Sequence, residues 1–231
     1  MLPTSHPRVK ICCIASIEEA TTAIAYGASA LGLVSAMPSG PGVISEEKIA
    51  EIVAAIPPPI ATFLLTSKQD AQSIISQQKQ CRTNTIQICD RVDTGVYRQL
   101  RDALPGVALV QVIHVNGRNS IDEASAAAPF VDALLLDSGN QVSTVKELGG
   151  TGRVHDWSIS KAIRESVDKP IFLAGGLNGK NVARAISEVA PFGLDLCSGV
   201  RTNGMLDELK LAGFFDRIGS SGSQAPRANV P

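Results

Sequence analysis

The segment Ala133-Leu-Leu-Leu-Asp137 decides the fold class, because it is the clearest of the short apolar runs that recur along the chain. Runs of this length, rich in branched aliphatic residues, are typical of parallel strands buried on both faces. Seven more such runs lie at residues 9–14, 30–35, 60–65, 85–89, 108–115, 171–174 and 193–198. Helical patterns fill the intervals, so the chain is predicted to be an α/β protein with the (β/α)₈ TIM-barrel fold. An open doubly wound sheet is disfavoured, since no Gly-x-Gly-x-x-Gly follows the first run.

Residue types at the ends of the helical patterns indicate where helices start and stop. Four serines are predicted to cap helix starts: Ser16, Ser45, Ser120 and Ser158. Gly27 and Gly149 are predicted to end helices, because glycine readily adopts the left-handed conformation. Residues 1–218 are therefore assigned to a single barrel domain. Residues 219–231, rich in Ser, Gly, Pro and Ala, are predicted to form a flexible tail.

Composition excludes several classes of partner. The 231 residues include 21 basic and 22 acidic side chains, a net charge of −1, which argues against nucleic-acid or membrane-surface binding. The charge-free stretch 20–45 is interrupted by Pro38 and Pro41, so it is not expected to span a membrane. Five cysteines, an odd number, with no signal peptide before them predict a reduced protein of the cytoplasm.

The carboxyl ends of the strands carry the chemistry in barrels of this type. On the first strand, side-chain alternation places Lys10 and Cys12 on one face and Cys13 on the other. The charge of Lys10 would favour the thiolate of Cys12 and make it a competent proton acceptor. The alternative is that both cysteines are small hydrophobic residues and that Lys10 pairs with an acid such as Asp195.

Asp137 ends an apolar strand at the same rim, where partial burial would let its carboxyl group act as a general acid. The alternative is a carboxylate that caps a helix or anchors a loop. His114 is predicted to be packed and hydrogen-bonded rather than catalytic. No metal is predicted, because no residues show the spacing of a zinc or iron site. A Schiff-base role for Lys10 is disfavoured, since it lies two residues inward of the cysteine.

Glycine pairs after the last two strands predict a phosphate site. Gly175-Gly176 and Ser198-Gly199 occupy the positions where barrels present backbone amides to a phosphate group. The alternative for each pair is tight helix packing. A third cluster, Gly149-Gly150-Thr151-Gly152, is expected to close over the ligand.

These motifs, taken in order, resemble the phosphoribosylanthranilate isomerase family, the (β/α)₈ enzymes of tryptophan biosynthesis. The resemblance runs from about Arg8 to Phe215. Its carriers are Val9-Lys-Ile-Cys12, Ile86-Gln87, Leu134-Leu-Leu-Asp137, Gly149-Gly-Thr-Gly-Arg-Val-His-Asp-Trp-Ser158, Leu173-Ala-Gly-Gly-Leu-Asn178, Asn181-Val182 and Asp195-Leu-Cys-Ser-Gly-Val200. The combination of Lys-Ile-Cys with the glycine-rich loop and Asp-Trp-Ser is specific, whereas single motifs are not.

The resemblance implies an isomerase that performs an Amadori rearrangement, with Cys12 as general base and Asp137 as general acid. It implies a small phosphorylated substrate and no cofactor, in a monomer or homodimer. The residues predicted to bind the substrate or its phosphate are Lys10, Gln87, Gly150, Gly152, Gly175, Gly176, Asp195, Ser198, Gly199 and Arg201.

Three positions depart from the family pattern. Gly42 stands where the family has an arginine that holds the anthranilate carboxylate, Cys13 replaces a glycine, and Arg201 replaces a glutamate. One hypothesis is that Arg201 takes over the acidic group that residue 42 no longer binds. The alternative is a divergent barrel of the same family that acts on, or only binds, a different phosphorylated sugar.

Overall fold

Eight parallel strands close into a barrel in the order of the sequence, which confirms the TIM-barrel prediction. The computed structural model describes residues 6–139, 148 and 152–222, with the backbone alone described at 220–222. The strands are β1 (Arg8–Ile11), β2 (Ala30–Val34), β3 (Ala61–Thr66), β4 (Thr85–Ile88), β5 (Ala108–His114), β6 (Ala133–Asp137), β7 (Ile171–Leu173) and β8 (Gly193–Leu196). A short antiparallel hairpin, β9 (Arg201–Thr202) and β10 (Met205–Leu206), follows the barrel.

Helices connect the strands and cover the outside of the barrel. They are α1 (Ile17–Ala25), α2 (Glu46–Ala55), α3 (Ala71–Cys81), α4 (Thr94–Ala103), α5 (Asn119–Ala127), α6 (Trp157–Ser166), α7 (Val182–Val189) and α8 (Glu208–Gly222). Short 3₁₀ turns lie at Ala128–Phe130 and Ser198–Val200. Within the described ranges, every helix is too short or too polar to cross a membrane.

The strands are buried on both faces, as their continuous apolar runs predicted. In β2, Leu31 and Leu33 belong to the core between sheet and helices, while Val34 belongs to the core inside the barrel. Phe63 and Phe172 meet edge to face inside the barrel, with ring centroids 5.8 Å apart. Because side chains fill the barrel in this way, ligand space is left at the end of the strands rather than along the axis.

The first two predicted helix caps are confirmed. The Ser16 and Ser45 hydroxyls accept the backbone N–H groups of Glu19 and Lys48, each at 3.2 Å. At the first cap, the Glu19 carboxylate also reaches back along the chain and accepts the N–H of Ala15 at 3.1 Å. The sequence pattern therefore located both helix starts correctly.

The other two predicted serine caps are wrong. Helix α5 begins at Asn119, so Ser120 is its second residue, and its buried hydroxyl bonds to the preceding loop. Helix α6 begins at Trp157, and its cap is Asp156, whose carboxylate accepts the N–H of Ser158 at 2.9 Å. Aspartate and serine are comparably good caps, so neighbouring candidates cannot be separated by residue type.

Helix α8 reaches Gly222 and so extends four residues beyond the predicted domain boundary at residue 218. The rest of the predicted tail, 223–231, lies outside the described residues. The assignment of residues 1–218 to one domain and 219–231 to a flexible tail stays a prediction.

Candidate active site

A cavity opens at the carboxyl ends of the strands and encloses about 680 Å³, its open mouth included. Eight of the predicted site residues line it: Cys12, Gln87, Asp137, Gly152, Gly175, Gly176, Asp195 and Ser198. Gly150 lies outside the described residues. The barrel therefore brings together residues from β1 to β8 that the sequence separates by up to 186 positions.

Lys10 lies beneath the cavity, where it is 0% exposed and forms an ion pair with Asp195 (Nζ–Oδ1 2.8 Å). Burial lowers the pKa of Lys10, but the charges of Asp195 and Cys12 raise it by a larger amount. The net pKa therefore lies above its ordinary value, and the side chain stays cationic. A Cβ atom added at Gly32 would lie 2.9 Å from Cys12 Sγ and 3.0 Å from Lys10 Nζ. The thiol and the ammonium group are therefore close neighbours, and the predicted pairing with Asp195 occurs as well.

Asp137 is the last residue of β6 and is 8% exposed. Its Oδ1 accepts the backbone N–H of Ser138 at 2.7 Å, which fixes the carboxyl group at the rim. Burial raises the pKa of the Cys89 thiol, and the nearby Cys12 and Asp137 add to that effect. Cys12 and Asp137 both lie close enough to Cys89 to influence its pKa, and all three residues line the same cavity.

Gln87 on β4 supplies a polar group to the cavity wall. Its side chain is 3% exposed, and its Oε1 has no hydrogen-bond partner within the described part of the chain. Its amide nitrogen is 3.8 Å from Cys89 Sγ. A buried acceptor beside a cavity is well placed to receive a hydrogen bond from a ligand hydroxyl or amine.

Of the glycines predicted to bind phosphate, Gly152, Gly175 and Gly176 line the cavity, whereas Gly199 does not. Gly175 and Gly176 both have left-handed backbones, with φ of 82° and 63°. A Cβ added at Gly176 would lie 2.8 Å from the carbonyl oxygen of Gly152, and one added at Gly152 would lie 3.5 Å from Ser198 Oγ. One added at Gly199 would collide with the carbonyl oxygen of Leu177. Glycine is required at 175, 176 and 199 for steric reasons, which supports the tight-packing alternative, and the phosphate role of these glycines stays a prediction.

Two asparagines brace this turn. The side-chain amides of Asn178 and Asn181 each donate to the carbonyl oxygen of Gly176 at 3.0 Å. Asn181 Oδ1 also accepts the backbone N–H of Asn178 at 2.9 Å. These bonds fix the orientation of the Gly176 carbonyl and so hold the glycine turn in place.

Arg201 does not take over ligand binding, and the hypothesis that it replaces the lost arginine is wrong. The side chain is 8% exposed and absent from the cavity wall. Its guanidinium group bonds to the Glu19 carboxylate at 2.7 and 3.0 Å and to the carbonyl oxygens of Cys13 and Gly204 at 2.6 and 2.8 Å. Arg201 therefore fixes the segment after β1 to the β9–β10 hairpin.

Replacing Arg201 with methionine is expected to lower the free energy of unfolding by about 3 kcal/mol, the low end of the range for a broken buried ion pair, because Glu19 keeps some solvent contact. Urea unfolding would measure the loss. The matched control is Lys48→Met, which breaks an exposed pair with Glu51 and should cost less than about 1 kcal/mol. Unchanged stability with weaker binding of inorganic phosphate would contradict this assignment.

Strand alternation predicted that Cys13 lies on the opposite face from Cys12, and this prediction is wrong. Strand β1 ends at Ile11, and Cys13 adopts a left-handed backbone with φ of 63°, so both cysteines line the cavity. A Cβ added at Gly42 would lie only 2.5 Å from Cys13 Cβ. The departures at residues 13 and 42 are therefore coupled to each other, because the side chain of one occupies the space that the other would need.

Several lining residues were missed in the sequence. Met37, Ser39, Gly40 and Pro41, in the segment after β2, form one wall, and Cys197 lies immediately past β8. The one sequence feature that could have identified them as lining residues is their position after strand ends. Their polarity could not have done so, since these side chains are neutral and mostly apolar.

The structure brings His155 against the glycine turn at 175–176. Its Nδ1 would be 3.1 Å from a Cβ added at Gly175, while its Nε2 bonds to Ser160 Oγ at 2.7 Å. Burial lowers the pKa of His155 to about 4, so the ring is neutral at pH 7. His114 is hydrogen-bonded to the Cys89 carbonyl oxygen at 2.9 Å, as expected of a packed histidine. Within residues 6–139, 148 and 152–222, no group of three or more His, Cys, Asp or Glu side chains is arranged to hold a metal ion.

Comparison with known proteins points to one family. A family model described as "PRAI: N-(5'phosphoribosyl)anthranilate (PRA) isomerase" matches residues 9–217. The N-(5'-phosphoribosyl)anthranilate isomerase 2 of Methanosarcina mazei is 34% identical over 212 residues, which cover 91% of this chain and 93% of that protein. The isomerase of Nostoc punctiforme is 33% identical over 215 residues, covering 92% and 99% of the two chains.

Solved structures agree with the sequence comparison. The phosphoribosylanthranilate isomerase of Thermus thermophilus superimposes with a TM-score of 0.78 at 25% identity, covering 92% of this chain and 98% of that one. A second isomerase, in complex with reduced 1-(o-carboxyphenylamino)-1-deoxyribulose 5-phosphate, gives a TM-score of 0.77 at 25% identity over 93% and 99% of the chains. The chain belongs to the N-(5'-phosphoribosyl)anthranilate isomerase family.

Proposed function

We propose that this protein catalyses the Amadori rearrangement of N-(5'-phosphoribosyl)anthranilate to the 1-deoxyribulose 5-phosphate product, a step of tryptophan biosynthesis. The observation that carries the proposal is that Cys12 and Asp137 line one cavity together with the glycine turn at 175–176. A thiol, a carboxyl group and an array of backbone amides are the groups this reaction needs. Family membership supports the same reaction.

In the proposed mechanism, Asp137 donates a proton to the furanose ring oxygen as the bond from that oxygen to C1 breaks. The nitrogen lone pair forms the C1=N double bond and opens the sugar to an iminium ion. The Cys12 thiolate then removes the proton from C2, and the electrons of that bond move toward nitrogen to give an enolamine. Tautomerisation yields the aminoketose. No cofactor is needed, because the substrate nitrogen accepts the electrons.

The surrounding residues have positioning roles in this proposal. The Lys10 ammonium, held by Asp195, is the positive charge closest to the Cys12 sulfur along the strand and would position that sulfur. The amides near Gly152, Gly175, Gly176, Ser198 and Gly199 would hold the phosphate, and Gln87 Oε1 would accept a hydrogen bond from the sugar or the amine. These contacts would align the ring oxygen with Asp137 and C2 with Cys12.

The direct test is the fluorescence decay of phosphoribosylanthranilate on addition of the purified chain. Turnover would support the proposal. Binding of reduced 1-(o-carboxyphenylamino)-1-deoxyribulose 5-phosphate without any turnover would overturn it in favour of a barrel that only binds a phosphometabolite.

A second candidate function is isomerisation of a phosphoribosylamine that lacks the anthranilate carboxylate. The observation that favours it is the neutral wall formed by Met37, Ser39, Gly40 and Pro41, since no arginine or lysine is among the described residues that line the cavity. A substrate carboxylate placed there would lack the guanidinium partner that the family provides. Comparing kcat/KM for phosphoribosylanthranilate and for its analogue without the carboxyl group would distinguish the two candidates.

The coupling of residues 13 and 42 gives a prediction for restoring that arginine. Gly42→Arg alone is expected to destabilise the protein by about 1 to 3 kcal/mol, because the side chain overlaps Cys13 and φ is 79°. Adding Cys13→Gly should recover the part of that loss that comes from overlap with the Cys13 side chain, while the strain of the positive φ and the 2.9 Å approach to Cys13 Cα remain. In the double variant, the KM for phosphoribosylanthranilate should fall by about tenfold, as expected for a new charged hydrogen bond of ~1.5 kcal/mol.

Thermal unfolding and steady-state kinetics of the two single variants and the double variant would complete this test, with Cys13→Gly alone as the control. A Gly42→Arg variant that is as stable as the unmodified chain would contradict the proposed coupling.

We further infer a cytoplasmic enzyme that acts as a monomer or homodimer on a small phosphorylated substrate, without a nucleic-acid or membrane partner. The net charge of −1 supports the absence of such partners. Light scattering on the purified chain would distinguish the monomer from the homodimer.

A further inference from the structure

Two cysteine thiols from opposite ends of the barrel sequence meet at the mouth of the cavity. Cys13 Sγ and Cys197 Sγ are 2.8 Å apart, although 184 positions separate them in the chain. Both line the cavity, and each is adjacent in sequence to a proposed site residue, Cys12 or Ser198. The proposed mechanism uses neither of these two thiols, so their contact requires a separate explanation.

The two thiols differ in protonation. Hydrogen bonds with Cys12 and Cys197 raise the pKa of Cys13, and burial adds to the effect. The hydrogen bond with Cys13 lowers the pKa of Cys197, burial opposes this, and the charge of Arg201 lowers it further. Cys197 is therefore the member of the pair that ionises first, and the thiolate is the form that reacts with oxidants.

Access also differs among the described cysteines. Cys197 is only partly buried, whereas Cys12, Cys13, Cys81 and Cys89 are buried, although Cys12, Cys13 and Cys89 also line the cavity. A small oxidant that enters the cavity reaches Cys197, and the nearest sulfur available to resolve the product is Cys13. A reactive thiolate beside a resolving thiol is the arrangement found at redox-sensitive sites.

We propose that Cys13 and Cys197 form a peroxide-oxidisable dithiol at the mouth of the active site. The Cys197 thiolate attacks one oxygen of hydrogen peroxide, which breaks the O–O bond, releases water after protonation and leaves a sulfenic acid. Cys13 sulfur then attacks the Cys197 sulfur and expels a second water molecule. Overall, two thiols and one peroxide give one disulfide and two waters, so the thiols lose the two electrons that reduce the peroxide.

Forming the disulfide changes the site through a small movement. The sulfur atoms must close from 2.8 Å to a bond length of ~2.05 Å. The product joins the segment that carries Cys12 to the segment that carries Ser198. It also removes the hydrogen bond that the Cys13 thiol donates to the carbonyl oxygen of Pro41 at 3.6 Å. The base, the phosphate loop and the neutral wall are therefore all connected to this bond.

The functional consequence rests on the proposed isomerase activity. Oxidation is expected to lower turnover by about ten- to a hundredfold, since a 1 Å displacement of reacting groups can cost about 10²-fold. Dithiothreitol should restore it, because the disulfide is reversible.

Mass spectrometry tests the chemistry without reference to activity. The full chain and its Cys12→Ser variant are treated with hydrogen peroxide, blocked with N-ethylmaleimide and digested. A peptide linked through Cys13 and Cys197, found in both proteins while Cys81 is alkylated, is the expected result. Alkylation of both Cys13 and Cys197, or a link that involves Cys12 and disappears in the variant, would overturn the proposal. Fragment-ion sequencing of the unmodified chain gives the same assignment if the variant does not fold.

Kinetics tests the consequence. The peroxide-treated chain should lose turnover reversibly and in proportion to the Cys13–Cys197 linked peptide. Cys197→Ser, compared with its own untreated activity, should lose less under the same treatment, and its remaining loss measures oxidation of Cys12 itself. Full activity of the cross-linked protein would overturn the regulatory role. If the reduced chain never turns over phosphoribosylanthranilate, the isomerase proposal fails and the peptide map still decides whether the dithiol exists.

Discussion

Replacing Asp137 with asparagine is expected to lower kcat by about 10² to 10⁴-fold, the usual contribution of a positioned general acid. The amide cannot donate a proton to the ring oxygen as that bond breaks. The amide keeps the shape of the carboxyl group, and its oxygen can still accept the Ser138 N–H, which lies 2.7 Å from Asp137 Oδ1 in the unmodified chain. Fluorescence decay of phosphoribosylanthranilate measures kcat, and titration with the reduced product analogue measures binding, which should change little.

Asp90→Asn is the matched control for this prediction. Asp90 follows β4 at the same end of the barrel, is buried, and accepts the N–H of Arg91 through Oδ1 at 2.8 Å, so its local geometry is like that of Asp137. It is absent from the cavity wall. An equal loss in both variants would indicate a structural effect and remove Asp137 from the proposed role.

Replacing Cys12 with serine is expected to cause a loss of similar size, about 10² to 10⁴-fold in kcat. A serine hydroxyl holds its proton far more tightly than a thiol, so it cannot remove the C2 proton at neutral pH, even beside Lys10. The substitution is nearly isosteric, which matters because Cys12 Sγ packs over Gly32. Binding of the reduced product analogue should persist, since the substitution changes none of the residues proposed to hold the phosphate.

Cys89→Ser is the corresponding control, because Cys89 is a buried cysteine that lines the same cavity and has no assigned role in the reaction. Its turnover should stay within a few-fold of the unmodified chain. Substantial turnover by Cys12→Ser would mean that another group removes the proton, and the mechanism would have to be redrawn around it.

The architecture could be predicted from the sequence because each strand is a short apolar run that can be recognised from its own residues. An apolar run such as 133–137 must be buried on both faces wherever it lies, and parallel strands so buried need helices between them. The same reasoning placed Cys12, Asp137 and the glycine pairs at strand ends, which is sufficient to bring them to one rim once the barrel closes. The predictions that came from this rule agree with the geometry of the cavity.

The predictions that failed depended on backbone detail or on competition between partners. Alternation put Cys13 on the wrong face, because the chain turns left-handed at that residue. Arg201 was assigned to a ligand on the basis of its charge, but Glu19 and two carbonyl groups bind its guanidinium instead. A sequence shows that a charged side chain is present, but only the fold shows which neighbouring group pairs with it.

By itself, then, the sequence determined the barrel, the family and the chemical groups at the strand ends, because burial patterns and motif order are local properties of the chain. The tertiary structure alone decided that residue 42 has no room for a side chain beside Cys13, that Arg201 is structural, and that Cys13 meets Cys197. Each of these is a contact between segments far apart in the chain. The distance between two such segments is set by how the barrel closes, and no local pattern in the sequence specifies that distance.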